Sequence, residues 1–269
     1  MSTAQLTNSA PRLFYTVTEP RNGQAPHRTF LLSHALGCDV TMWDELVAHL
    51  STDNRVVCYD QRGHGRSEAP AGPYTMAELA DDAARLIDEL NLGAITWVGL
   101  SMGGMIGQEL ALRHPAKVQA LVLANTTSYY PDEARAGWEQ RIATIAQDGL
   151  ASIVDGAMLR WFHDGFRATQ PNTVAYWKQR VLACSQDGYI ACCHAIRDMD
   201  TTARLPTIGV PTLVIAGELD LGTPPAMARA IAHHIPGAQL AILPQASHLS
   251  VLEQPAAFIH TVDQWLSAH

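Results

Sequence analysis

With 269 residues, 47% of them apolar, the chain is long enough to bury one large α/β core or two modest ones. Its 18 Lys and Arg against 26 Asp and Glu give a net charge of −8, and the cations are scattered, which argues against nucleic acid or an anionic membrane as partner. No apolar stretch approaches the roughly 20 residues that span a bilayer, and the opening MSTAQLTNSAPRLFY lacks the basic and apolar regions of a secretory signal, so a cytoplasmic location is expected.

In chain order, strands are expected at Arg12–Thr18, Thr29–Ser33, Arg55–Tyr59, Ile95–Gly99, Ala120–Ala124, Thr212–Ala216 and Gln239–Leu243. Several of these, such as LVLA and LVIA, are apolar throughout, the pattern of a strand covered on both faces of a parallel sheet. Helical spacing separates them: between Thr75 and Leu90, apolar Met76, Leu79, Ala83, Leu86, Ile87 and Leu90 recur every three or four residues. This alternation predicts a doubly wound, mostly parallel α/β sheet. It stops between about Thr126 and Leu205, where no strand is evident and Trp138, Trp161 and Trp177 lie among helix-like stretches. Residues 1–125 and 206–269 are therefore expected to form the core, and 126–205 a helical cap of the kind that encloses a substrate pocket.

One heptapeptide carries the chemistry. Gly99-Leu100-Ser101-Met102-Gly103 fits G-x-S-x-G, with a strand (ITWVG) before it and a helix (MIGQELALRHP) after it, as a nucleophile elbow requires. Side chains at Gly99 and Gly103 would crowd the neighbouring strand and helix, and the turn sets the hydroxyl at a helix N-terminus whose field favours a developing negative charge. The plainer reading, a serine capping a helix, needs no flanking glycines.

A serine hydroxyl needs a base and an orienting carboxylate, in chain order Ser, Asp or Glu, His. Asp220, in the loop GELDLGTP after the strand PTLVIAG, is the candidate acid, with Glu218 as its alternative. His248, in QASHLS, alone among twelve histidines sits on a loop after the last expected strand and beyond the acid, and is the candidate base. Oxyanion donors are expected from the backbone N–H of Met102 and from the turn SHALG, where Leu36 is the candidate. Backbone donors leave both side chains free to be apolar.

The five cysteines, Cys38, Cys58, Cys184, Cys192 and Cys193, are odd in number and unevenly spaced, so reduced, mostly buried thiols are expected rather than a disulfide framework. Cys192-Cys193-His194 has no second ligand pair at zinc-like spacing, and no metal site is expected there.

Over essentially its whole length the chain resembles the α/β-hydrolase superfamily, and is most similar to the 3-oxoadipate enol-lactonase group. The segments that carry the likeness are SHALGCDVTMW, YDQRGHGRSEAPAGPYT, GLSMGGMIGQELALRHP, LANT, RWF and the loops GELD and ASHLS. In that group the first loop more often reads S-N-S-L-G, where this chain has S-H-A-L-G. The resemblance implies hydrolysis of a small cyclic ester in aromatic catabolism, through an acyl-enzyme on Ser101, with no metal or organic cofactor, by a monomer or homo-oligomer. A substrate bearing a free carboxylate calls for a cation in the pocket. Arg160 beside Trp161 is the first candidate, Arg135 and Arg141 its rivals, and Trp138 and Trp161 are either lid core or substrate contacts. Three alternatives stay open: a general carboxylesterase, a cofactor-free perhydrolase using peroxide in place of water, and a ligand receptor that does not turn over. A dehalogenase is disfavoured, because that branch carries Asp where Ser101 stands.

Overall fold

The apolar runs become one eight-stranded sheet in the computed structural model, which describes residues 2–269. The strands are β1 (Ser2–Leu6), β2 (Phe14–Thr18), β3 (Thr29–Ser33), β4 (Arg55–Tyr59), β5 (Ile95–Leu100), β6 (Val118–Ala124), β7 (Thr212–Gly217) and β8 (Gln239–Leu243). They lie in the order β1-β2-β4-β3-β5-β6-β7-β8, with β1 and β2 antiparallel to their neighbours and the rest parallel. All six residues of β5 and of β7 are buried, which is why these strands read as apolar throughout.

The expected strands are all present, three with the expected bounds and four with one end shifted by one or two residues. β1 was not anticipated: its sequence STAQL has one large apolar residue, and all five of its residues are exposed. It forms because backbone pairing with β2, from Ser2 opposite Thr18 to Leu6 opposite Phe14, needs no apolar face at the sheet edge.

Helices α1 (Asp44–Leu50), α2 (Met76–Glu89) and α3 (Met102–Arg113) connect the strands of the first half. α2 begins where Thr75 Oγ1 accepts the Glu78 N–H at 3.2 Å and Glu78 returns a carboxylate oxygen to the Thr75 N–H at 2.8 Å, a reciprocal cap of the kind whose loss costs about 1 kcal/mol. Its buried residues include Met76, Leu79, Ala83, Leu86 and Ile87, five of the six expected.

Between β6 and β7 come only helices and short turns: α4 (Asp132–Asp148), α5 (Val154–Trp161), α6 (Asp164–Thr169), α7 (Pro171–Leu182) and α8 (Gln186–Asp198). An isolated bridge joins Tyr129 to Asp200, and Thr201 donates its N–H to Ser128 at 2.9 Å and its hydroxyl to Gln108 of α3 at 2.7 Å, so both stems of this block are pinned to the sheet layer. After β7 follow α9 (Pro225–His234), then β8, α10 (Ser250–Glu253) and α11 (Pro255–Leu266). Cys192 and Cys193 are fully buried in α8, and all five cysteines are free thiols. No helix among the described residues is long and apolar enough to cross a membrane.

Strand order reverses between β3 and β5, the switch point at whose carboxyl ends α/β sheets gather their sites. Ser33 there pairs with Gly99, so the turn after β3 and the turn after β5 lie side by side.

Candidate active site

Ser101 sits at the junction of β5 and α3 with φ +58° and ψ −116°, a strained conformation for a residue with a side chain. Close packing holds it there. A Cβ at Gly99 would overlap the Gly103 carbonyl and one at Gly103 would overlap the Ser33 carbonyl, while one at Gly104 would come within 2.7 Å of the Thr126 side chain. The Ser101 N–H donates to the Ala124 carbonyl at 2.9 Å, and its own carbonyl accepts the Thr126 hydroxyl at 2.8 Å. The Ser101 side chain makes no capping bond to α3. It turns to His248 instead, whose Nε2 lies 2.9 Å from Oγ.

On the far side of the imidazole, Nδ1 is 3.0 and 3.1 Å from the two Asp220 oxygens. Asp220 is 2% exposed and accepts four further bonds: from the amides of Gly222 (2.8 Å) and Thr223 (2.9 Å), the Thr223 hydroxyl (2.8 Å) and the Asn125 side-chain amide (3.0 Å). Burial by itself raises the pKa of this carboxyl, but the His248 charge and these donors outweigh it and hold the group below the usual carboxylate value. The hydrogen-bond chain Ser101–His248–Asp220 thus has the geometry for a proton to leave the hydroxyl for Nε2 while Nδ1–H stays on the carboxylate. Glu218, the alternative acid, is exposed and accepts the Gln245 amide at 3.2 Å, away from the imidazole.

The residues flanking His248 are tied down on both sides. Asn125 donates to the Ser247 carbonyl at 3.0 Å, the Leu249 N–H donates to the Trp161 carbonyl at 3.1 Å, and the Ser247 hydroxyl donates to the Arg160 carbonyl at 3.2 Å. The buried Glu253 carboxylate accepts both the Ser247 amide and, at 2.8 Å, the His163 amide. Burial pushes its pKa up.

Ser101, His248 and Leu36 face one cavity of about 520 Å³, walled mainly by α4, α5 and α8. Leu36 lies in the turn after β3, and Met102 is the first residue of α3, whose amide has no acceptor within its own helix. Trp138, Trp161, Arg141 and Arg160 all line the cavity; Arg135 does not, and donates to the Tyr130 carbonyl at 3.0 Å. Neither Arg141 nor Arg160 forms an ion pair with a carboxylate among the described residues. Arg141 donates to the Tyr189 hydroxyl at 2.6 Å and lies over the Trp138 and Tyr189 rings, yet its buried Nε has no partner there. Burial first, and the Arg141 charge second, lower the pKa of Arg160. Two guanidinium groups with spare donors in an uncharged cavity wall favour an anionic guest.

Three site residues escaped the sequence reading. Asn125 directly follows the strand Ala120–Ala124, and nothing local shows that it reaches Asp220, 95 residues on. Thr223 is one polar residue of the loop GELDLGTP, and Glu253 lies just beyond QASHLS with no local sign of its contacts. A polar residue at a strand's carboxyl end, as Asn125 is, was the one available signal.

The model of the family described as alpha/beta hydrolase fold matches residues 28–255. Among curated relatives, 3-oxoadipate enol-lactonase 2 of Acinetobacter baylyi is 37% identical over 90% of this chain and 89% of its own. A putative carbamate hydrolase, RutD, of Caulobacter is 32% identical over 93% of this chain and 94% of its own. The crystal structure of the enol-lactonase from Burkholderia xenovorans LB400 superposes with a TM-score of 0.91 at 36% identity, covering 98% of this chain and 100% of that one.

Proposed function

This chain belongs to the alpha/beta hydrolase fold family and is an ester or lactone hydrolase, and from that premise we propose that it opens a small anionic enol-lactone through an acyl-enzyme on Ser101. The observation that carries the mechanism is the buried chain in which Ser101 Oγ, His248 Nε2, His248 Nδ1 and Asp220 follow one another at 2.9 and 3.0 Å. His248 removes the hydroxyl proton as Oγ attacks the lactone carbonyl, and the oxyanion is taken by the amides of Leu36 and Met102. As the ring C–O bond breaks, His248 returns its proton to the departing enol oxygen, and the enol becomes a ketone. Water, deprotonated by His248, then attacks the ester and releases the acid and the free serine. Asp220, kept ionised, holds the imidazole in the required tautomer throughout.

The cap, residues 126–205, selects the substrate in this reading. Arg141 and Arg160 receive the carboxylate that an enol-lactone carries besides its ring, and Trp138 and Trp161 flank the apolar part. Support for this class comes from the two enol-lactonases and from two cavity guanidinium groups that have no carboxylate partner among the described residues. The test is turnover of 3-oxoadipate enol-lactone beside p-nitrophenyl acetate and an alkyl carbamate, with wild type and Ser101→Ala. Lactone turnover that disappears in Ser101→Ala is expected. Undiminished turnover by the variant refutes the serine mechanism, and cleavage of the aryl ester or carbamate without the lactone refutes the substrate class alone.

A further inference from the structure

Behind the turn that carries Leu36 lie two buried imidazoles that the hydrolytic mechanism leaves unused. His34, at the end of β3, is 0% exposed, and His64, in the loop after β4, is 1% exposed, with ring centroids 5.3 Å apart. Each reaches into the loop that bears the other. His34 Nε2 accepts the Gln61 amide at 3.0 Å, and His64 Nε2 accepts the Gly37 amide at 2.9 Å. A backbone N–H can only donate, so both rings keep a lone pair on Nε2 and their proton on Nδ1. The His34 Nδ1–H then donates to the Ala35 carbonyl at 2.8 Å, an oxygen that also accepts the Cys38 N–H at 3.0 Å. The His64 Nδ1–H faces the Arg62 carbonyl at 3.4 Å, with Cys192 Sγ at 3.9 Å.

The Ala35 carbonyl and the Leu36 N–H belong to one planar trans peptide and point in opposite directions. Fixing the oxygen therefore fixes the direction of the N–H. The next peptide is held through Gly37, whose N–H goes to His64 and whose φ of +80° suits glycine. A Cβ on Gly37 would press at 3.2 Å on Trp161, Tyr189 and Val181 of the cap. Burial, with the neighbouring ring second, pushes His64 down to about 3, and burial lowers His34 as well, so protonation does not compete with the two accepted bonds at neutral pH.

We infer that His34 and His64 form a reciprocal, uncharged clasp that aims the Leu36 amide at the oxyanion and so act as positioning residues for hydrolysis, an inference that rests on the serine mechanism proposed above. Its first test is long-range ¹H–¹⁵N correlation of the histidine rings in wild-type protein. Both His34 and His64 are expected as Nδ1–H tautomers at pH 8, with His64 unchanged down to pH 5; an Nε2–H tautomer of either ring, or titration of His64 in that range, overturns the clasp. The second is kinetic, with p-nitrophenyl acetate as substrate and an aryl trifluoromethyl ketone as tetrahedral mimic. His64→Leu is expected to lower kcat by about 10- to 100-fold, within the effect of losing one oxyanion donor. KM should stay within about twofold and ketone affinity should fall with kcat, because the amide is used only as charge develops on oxygen. His64→Gln, whose amide oxygen can take the Gly37 N–H, should recover most of the loss. Equal damage from Gln and Leu, or a loss carried by KM, overturns the proposal. Ser101→Ala measured alongside reports on the serine mechanism separately, since its outcome has no bearing on the ring tautomers.

Discussion

Replacing Asn125 with glycine tests how much of the Ser101–His248–Asp220 hydrogen-bond chain rests on a residue outside it. Asn125 sits at φ +46°, where glycine is unstrained and alanine is not, so Asn125→Gly removes the side chain without forcing the backbone. Three bonds disappear: to Asp220 at 3.0 Å, to the Ser247 carbonyl at 3.0 Å and from the Ser250 hydroxyl at 2.6 Å. A bond to a buried charge contributes about 1.5–3 kcal/mol, and leaving the Ser247 carbonyl unsatisfied costs about 1–3 kcal/mol more. The Ser250 hydroxyl can rotate to another acceptor, and the added freedom of glycine in the unfolded chain contributes at most about 1 kcal/mol. The expected loss at pH 7 is about 3–5 kcal/mol, a large share of the roughly 5–15 kcal/mol that holds a domain together.

The pH dependence separates the charged part of that loss from the rest. Asp220 has a depressed pKa in the folded protein, so its contribution is fully present above the ordinary carboxylate value and disappears as pH falls through the folded value. Without the Asn125 donor the folded pKa moves up and the contribution at neutral pH shrinks. The difference between wild type and variant, read from urea denaturation at successive pH values, should therefore be largest near neutrality and narrow on acidification. A difference below about 1 kcal/mol, or one independent of pH, refutes the assignment of Asn125 as a support for the Asp220 charge.

Ser101→Ala should leave the fold intact and lower kcat on the order of 10⁶-fold, the scale of loss when a Ser-His-Asp unit is deprived of its nucleophile; single-turnover kinetics will show it. Arg141→Met and Arg160→Met should each raise KM for the anionic lactone by about 10- to 100-fold, as the loss of one charge-assisted hydrogen bond implies, with little change for neutral p-nitrophenyl acetate. Equal effects on both substrates would count against a carboxylate site. Gly103→Ala should destabilise by roughly 1–3 kcal/mol or block folding, because its methyl overlaps the Ser33 carbonyl and neither backbone can give way; a melting curve like wild type's would refute the packing argument.

Local patterns foretold the elements whose causes are local. Apolar runs marked the parallel strands, three- and four-residue apolar spacing marked α2, and two glycines around a serine marked the elbow, since a turn that tight admits few residues. β1 was illegible because an exposed edge strand held only by backbone pairing carries no apolar signature. Chain order narrowed the candidate acid and base to Asp220 and His248, but the support around them comes from distant segments: Asn125 meets Asp220 across β6 and β7, and Glu253 joins the His248 loop to His163. Arginine identity in the cap was equally open from sequence. Arg141 and Arg160 line the cavity and Arg135 does not, a difference of helix side that their local sequences do not declare.

The bonds from Ser247, Leu249 and Glu253 to residues 160–163 divide the cavity into two walls with different histories open to them. Any substitution that shifts the end of α5 also shifts the His248 loop, so that wall is constrained by the chemistry. The opposite wall is α4, where six residues line the cavity and, of seventeen, only Ile145 is fully buried. Substitutions there can change size, charge and hydrogen bonding toward the cavity without touching the bonds that hold the His248 loop. Libraries meant to reshape this cavity while sparing the His248 loop belong on α4.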